Sequence, residues 1–376
     1  MKKFLFLLAF LVLIISAFSI SEGEWIITKD KLNLPGEYFD GENYFWRADY
    51  HLEDLKEATE LNLKIHNITD DSTILFFDEG NNEKKNWEYI KKLLDGAKKF
   101  VWAAIYDINY YPFIQELKKL KKKGIDVKVV YELNNLNSYI NGLDNSGIET
   151  KHDKNYKLMH DKFIIIDGYC VLTGSTNFTN NGFKYNSNNS IVIFSNELAQ
   201  DYMNEFKEMF EGYYGKNSLD NKPYKNVEFD SGLIEPYFTP EDDLTDRIIE
   251  LINKSEKNID VMIFTFSKRE IADALIKAKN IGINVRVIAE EYQSNYGWAQ
   301  IEHLKENGVN VILDKNDRTF HHKVMIIDGK ITITGSFNFT NSAQYYNDEN
   351  SLVIHSEYIS KGYEKEFNRL WEKYTK

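Results

Sequence analysis

"HDKFIIIDGYCVLTGSTNFT" runs from His160 to Thr179, and "HHKVMIIDGKITITGSFNFT" runs from His321 to Thr340. The two stretches agree at 12 of 20 positions without a gap. Each reads as strand, turn, strand. In the first, residues 163–166 are apolar and β-rich, Asp167-Gly168 is a hairpin dipeptide, and residues 169–173 return. Side chains two apart on a strand share a face, so His160 projects with Lys162 and His321 with Lys323. Gly174-Ser175 and Gly335-Ser336 then form a tight turn that brings Asn177 or Asn338 back toward the start of its hairpin. Packing alone would repeat the apolar positions. It gives no reason to repeat His, Lys and Asn at one spacing. A lone His-x-Lys carries little weight: His152 and Lys154 form one without the later Asp and Gly-Ser.

An imidazole can attack phosphorus or move a proton near neutral pH. An ammonium and an amide are suitable donors to the non-bridging oxygens of a phosphoryl transition state. Two such sets facing each other would supply a nucleophile and a general acid. His322 alternates away from His321 and reads as structural or solvent-facing. The Asp of each Asp-Gly pair, Asp167 or Asp328, reads equally well as a turn residue.

The repetition extends outward. The offset of 161 that relates His160 to His321 also aligns "YNSNNSIVI" at Tyr185 with "YNDENSLVI" at Tyr346. Upstream, "GIDVKVVYE" at Gly124 aligns with "GINVRVIAE" at Gly282 at an offset of 158. The chain is therefore a duplicated domain, with halves at 71–215 and 228–376, a linker at 216–227 and an unmatched extension at 22–70. Each half reads as a helix (87–98, 243–255), a strand (100–106, 259–265), an amphipathic helix (111–123, 268–280) and a second strand (127–131, 285–289). After the repeated stretch come another strand (190–194, 351–355) and a closing helix (197–210, 357–374). This order predicts an α/β fold of two tandem halves, each a mixed, mainly parallel sheet flanked by helices.

Both stretches resemble the paired motif of the phospholipase D superfamily, and the resemblance covers essentially all of 72–376. It implies halves related by a pseudo-two-fold axis around one shared active site. It also implies metal-independent phosphodiester cleavage through a covalent phosphohistidine. The "GSxNFT" form is similar to small bacterial phospholipase-D-like nucleases and cardiolipin hydrolases, which are half this length and dimerise; here one chain would be sufficient as a monomer. By resemblance the catalytic set is His160, Lys162, Asp167, His321, Lys323, Asp328 and Glu349. Lys162, Lys323, Asn177, Asn338, Ser175 and Ser336 would hold the phosphate, and neither metal nor cofactor is expected. In these relatives a Glu placed 28 residues after the motif His orients its imidazole. The second half has Glu349 at that place and the first half has Asn188. A carboxylate raises imidazole basicity where an amide only orients. The expectation is therefore His321 as nucleophile and His160 as general acid, although in many two-motif relatives the first His attacks.

The 376 residues are 43% hydrophobic and 28% charged, as in a soluble globular protein, and the formal net charge is −12. That charge weakens any case for strong non-specific nucleic-acid binding, which rests on neutralising phosphates. The single cysteine, Cys170, excludes an intrachain disulfide framework and reads as a buried small hydrophobe. Lys2 and Lys3 precede an apolar run over 4–15 and then small residues. Residues 1–21 thus read as a secretory signal or a retained anchor. The chain is placed outside the cytoplasm, secreted or held on the outer face of the membrane. Phospholipid is the expected substrate, with membrane-surface contact through aromatic loops ("FKY" at Phe183, "YY" at Tyr345). A nuclease acting on nucleic acid and an inactive phosphate- or membrane-binding module are the alternatives.

Overall fold

The two repeated hairpins set the architecture. In each, the Asp-Gly pair adopts the left-handed backbone, with φ of 55° at Asp167 and 77° at Gly168, and 55° at Asp328 and 63° at Gly329, and opens a three-residue connection that pairs Ile166 with Cys170 and Ile327 with Ile331. The computed structural model describes residues 26–29, 72–78, 83–154, 157–229, 232–316 and 318–376. Residues 1–21 and all of 22–70 except 26–29 lie outside these.

The first sheet contains β1 (Ile26–Lys29), β2 (Ser72–Asp78), β3 (Phe100–Ile105), β4 (Asp126–Tyr131), β5 (Glu149–His152), β6 (Lys162–Ile166), β7 (Cys170–Gly174) and β8 (Asn188–Phe194). The second contains β9 (Val227–Phe229), β10 (Gly232–Thr239), β11 (Asn258–Ile263), β12 (Asn284–Ala289), β13 (Asn310–Leu313), β14 (Lys323–Ile327), β15 (Ile331–Gly335) and β16 (Glu349–His355). Their orders are the same, β1-β2-β8-β7-β6-β3-β4-β5 and β9-β10-β16-β15-β14-β11-β12-β13.

The sheets are mixed. Parallel pairing is confined to β3-β4-β5 and β11-β12-β13, where helices 111–122 and 269–280 make the first crossovers. Every other pairing is antiparallel. The expected mainly parallel sheet is corrected accordingly, because the motif hairpin and the strand after it build antiparallel ladders across the middle. Sequence reading also missed β2 and β10, which begin each half by pairing with β8 and β16.

Burial divides the molecule into layers. Helices 83–95, 111–122 and 138–144 cover the outer face of the first sheet, and 244–253, 269–280 and 301–306 cover that of the second. The inner faces share one core with the closing helices 196–211 and 357–375, to which Tyr202, Phe206, Tyr363 and Phe367 contribute. Neither half could leave that inner face in water without exposing a large apolar surface. The segment 216–227 is tied down: Leu219 and Asn221 donate to Glu208, and the Tyr224 N–H donates to Asp201. Cys170 is buried in β7. Among the described residues no helix is long and apolar enough to cross a membrane.

Candidate active site

The motif histidines precede β6 and β14, and each is fastened to the opposite half. The His160 N–H donates to the Asp348 carbonyl (2.8 Å), and the Asp348 N–H to that of Leu158 (2.9 Å). The His321 N–H donates to the Ser187 carbonyl (2.7 Å), and the Ser187 N–H to that of Thr319 (2.9 Å). Thus the segment leading into each last strand pairs with the segment leading into the other half's motif.

This crossing overturns the expected pairing of orienting residues. His160 Nδ1 lies 2.6 Å from Oε2 of Glu349, whereas His321 Nδ1 lies 3.0 Å from Oδ1 of Asn188 and 3.0 Å from the Ser175 carbonyl. The carboxylate therefore stands behind His160, the histidine of the other half, and the amide behind His321. All these partners are acceptors, so each Nδ1 carries a proton and each Nε2 keeps its lone pair. Sequence spacing could not reveal the exchange, because a fixed offset does not say which half's histidine the orienter meets.

The surroundings are dry and cationic. Burial lowers His160 to a pKa of about 4 despite Glu349. Burial, with the ammonium groups of Lys323 and Lys162, holds His321 well below the ordinary imidazole value. His160 is a further cause of the His321 shift, and the crossed anchoring of each histidine to the other half sets both at the junction between the halves. Burial likewise pushes Lys162 down to about 8 and Lys323 well below its ordinary value. Burial opposes ionisation of Glu349, yet His160 and Lys162 keep its carboxyl below the usual range. Tyr106 and Phe264 were not anticipated. Each lies 4.8 Å from one imidazole, His160 or His321, and 5.0 or 4.7 Å from the ammonium of Lys162 or Lys323. They occupy matching places just after β3 and β11.

The Gly-Ser turn acts behind the imidazoles. A Cβ on Gly174 would lie 2.3 Å from the Asn189 carbonyl oxygen, and one on Gly335 would lie 2.2 Å from that of Asn350. Only glycine allows that approach, and it delivers the next hydroxyl to the orienter. Ser336 donates to Glu349 Oε2 at 2.7 Å, and Ser175 to Asn188 Oδ1 at 3.3 Å. Ser175 and Ser336, expected to hold phosphate, instead hold the residues that hold the histidines.

The sequence profile described as "Cardiolipin synthase, PLD-like domain" matches residues 90–210 and 248–371, once in each half. The chain belongs to the phospholipase D superfamily. It is 34% identical over 128 residues to a mitochondrial cardiolipin hydrolase of Xenopus tropicalis, an alignment covering 34% of this chain and 61% of that protein. It is 32% identical over 147 residues to a phospholipase D of Rickettsia conorii, covering 39% of this chain and 74% of the relative. The chain thus spans less than two thirds of the length of the cardiolipin hydrolase. The crystal structure of Haemophilus influenzae phosphatidylserine synthase superposes with a TM-score of 0.61 at 17% identity, over 78% of this chain and 85% of that one. That likeness concerns the fold.

Within this phospholipase D superfamily fold, the aspartates of the motif lie away from the histidines. Asp167 and Asp328 sit at the far ends of β6 and β14, roughly 16 Å of strand from the lysines. The Asp167 carboxylate accepts the N–H groups of Lys98, Lys99 and Phe100 at 2.8, 2.7 and 2.9 Å. Asp328 accepts those of Glu256, Lys257 and Asn258 at 2.8, 2.7 and 3.0 Å. Their assignment to the catalytic set is therefore corrected: they tie the hairpin turn to the start of the neighbouring strand. Asp328→Ala is expected to cost about 2 kcal/mol of stability through the lost charge-assisted bonds. Turnover per folded molecule should stay within about threefold of wild type. Denaturant melts and active-site-normalised rates check this; a large rate loss at unchanged stability would contradict it.

Oδ1 of Asn177 and of Asn338 is buried without a hydrogen-bond partner. His322 is fully buried rather than solvent-facing, between Ser187 Oγ (3.0 Å) and Asn189 Nδ2 (3.1 Å). Of the aromatic loops, Phe183 is buried and Tyr185, Tyr345 and Tyr346 are exposed. Lys157 lies over the ring of Tyr346 at 5.2 Å, and Arg318 over that of Tyr185 at 4.9 Å. Each cation stands three residues before a motif histidine and stacks on the other half, so the pairs repeat across the pseudo-two-fold.

Proposed function

We propose that this chain is a phosphodiesterase that hydrolyses phospholipid through a phosphohistidine, with His160 as nucleophile and His321 as general acid. The observation that carries the reading is the pair of imidazoles anchored through Nδ1 by the opposite half, in one site with two buried lysines. As His160 Nε2 bonds to phosphorus, its ring gains positive charge, which the Glu349 carboxylate stabilises. The P–O bond to the leaving alcohol breaks, and that oxygen takes a proton from protonated His321. An imidazolium backed only by an amide and a carbonyl is the stronger acid of the two. The substrate's negative charge offsets the lysines that disfavour this form. Neutral His321 then takes a proton from water, the water oxygen attacks phosphorus, and the N–P bond breaks to release a phosphomonoester. Lys162 and Lys323 hold the non-bridging oxygens, aided by Asn177 and Asn338.

Phospholipid is supported by relatives named phospholipase D and cardiolipin hydrolase, and by the exposed tyrosines with their stacked cations. Such side chains suit an interface where one end is apolar and the other wet. The basic start and apolar run of residues 1–21 support action outside the cytoplasm. One chain contains both motifs, so the monomer is the proposed active unit.

The test is to incubate purified protein in excess EDTA with cardiolipin, phosphatidylcholine and plasmid DNA in parallel, at a temperature where circular dichroism shows it folded. Phosphatidic-acid-type product should form at the rate seen without chelator. Loss of turnover from folded protein, restored by a metal, would overturn the mechanism. Nicking of DNA with inert lipid would overturn the substrate class.

A further inference from the structure

Between the halves, two buried carboxylates of helix 196–211 meet a half-buried one from the turn after β10. Glu205 and Glu208 lie on one face of helix 196–211, and Glu241 lies in the turn after β10. Their ligand atoms all lie within 4.8 Å of one another. Two opposed Ca²⁺–oxygen bonds would span about 4.6–5.2 Å. Asp161 and Asp348 border this trio, and both are fully buried. Neither oxygen of Asp161 has a hydrogen-bond partner, nor does Oε2 of Glu241 or Oδ2 of Asp348. Burial first, and the charge of Asp161 among others, push up the Tyr202 hydroxyl and the Glu205 carboxyl, which share one face of helix 196–211.

The other half shows what normally occupies such a place. Advancing by the repeat offset of 161 turns Asp161 into His322, Glu205 into Glu366 and Glu208 into Arg369, and going back by it turns Asp348 into Ser187. There the Arg369 guanidinium donates twice to Glu366, at 2.8 and 2.7 Å, and His322 is paired on both ring nitrogens. One half thus contains its own cation. The related place in the first half has no cation: Glu208 accepts from the Leu219 N–H and the Asn221 amide, and among the described residues no lysine or arginine forms an ion pair with Glu205, Glu208 or Glu241. Burying unpaired carboxylates is costly unless they are protonated or bind a cation.

We infer that Glu205, Glu208 and Glu241 form a site for a hard divalent cation, best matched by Ca²⁺, which clamps the two halves together beside Asp161 and Asp348. All donors are carboxylate oxygens, the set that hard cations take and that soft, nitrogen- or sulfur-seeking metals do not favour. The trio joins helix 196–211 of the first half to the turn after β10 of the second. Asp161 and Asp348 adjoin His160 and Glu349 in the chain, yet the clamp sets how firmly the halves hold together, and turnover of folded protein does not depend on it. The role is structural and independent of the proposed chemistry.

The full chain, stripped with EGTA and dialysed, is titrated calorimetrically with CaCl₂, and with MgCl₂ in parallel; melting temperature is followed with and without each ion. One Ca²⁺ per chain should bind, and saturation should raise the melting temperature by about 4 °C or more. Glu205→Gln and Glu208→Gln should lose both responses. Glu208→Arg installs the cation the second half uses. It should fold in EGTA at least as stably as stripped wild type and ignore Ca²⁺. Glu241→Gln, on a turn, gives the same readout should the helix variants fail to fold. Absence of saturable Ca²⁺ binding to wild type overturns the inference, as does binding that survives in the folded variants. Gain of stability in the Gln variants with no ion effect on wild type would show that protons, not a cation, neutralise the cluster.

Discussion

Replacing His160 with alanine is expected to abolish cleavage of both unactivated and p-nitrophenyl phosphodiesters, a loss on the order of 10⁴-fold or more, and to leave no covalent adduct. Replacing His321 should act differently. A general acid matters for an alkoxide leaving group and much less for p-nitrophenolate, which departs without protonation. His321→Ala should therefore lose about 10²–10⁴-fold on lipid while retaining the first step on the activated ester. With the water-activating base gone, phosphate should accumulate on His160 Nε2. Mass spectrometry of acid-sparing quenched enzyme locates the adduct. The assignment rests on the 2.6 Å contact between His160 and Glu349. A phosphate found on His321 in His160→Ala would reverse the roles.

That contact also marks the limit of what the sequence displays. The duplication, the hairpins and the histidine–lysine pairs were legible because each is written in local spacing: period-two alternation, Asp-Gly turns, one repeated offset. The places of β3, β4, β11 and β12 followed from apolar runs. Strand direction in the sheet was less legible, since a buried run reads alike in parallel and antiparallel ladders, and β2 and β10 were missed. The roles of Ser175 and Ser336 were misread for a related reason, and Asp167 and Asp328 stood between a turn and the catalytic set. Repetition shows that a residue is required twice, but not whether it meets substrate or backbone. Asp167 proves to be needed at a positive φ with three N–H groups to accept. The orienters were misassigned because they act across the interface between halves. Tyr106 and Phe264 differ in type and sit at the 158-residue offset, outside the repeated stretch, so nothing local marked them.

The asymmetry of the two orienters supplies the sharpest test. Glu349 is surrounded by donors: the His160 Nδ1–H, the Ser336 hydroxyl and the Asn347 amide, which lies 3.0 Å from Oε1. Three donors suit an ionised carboxylate, which only accepts. Glutamine there must turn its NH₂ toward one of them. Glu349→Gln is thus expected to cost about 10³–10⁴-fold in turnover, by losing the charge that stabilises the phosphoimidazolium and disturbing the tautomer. Asn188 has the opposite need. Its Oδ1 serves His321, but its Nδ2 donates to the Gly182 carbonyl at 3.0 Å, which a carboxylate cannot do. Asn188→Asp alone should therefore destabilise by roughly 1–3 kcal/mol, because two oxygens are forced together in a buried place. Combining Glu349→Gln with Asn188→Asp moves the carboxylate from behind His160 to behind His321. If charge decides which imidazole attacks, the double variant, verified as folded by circular dichroism, should regain part of the activity lost in Glu349→Gln. Its trapped phosphate should then sit on His321. An adduct that stays on His160 would show that position in the cleft, not the carboxylate, selects the nucleophile.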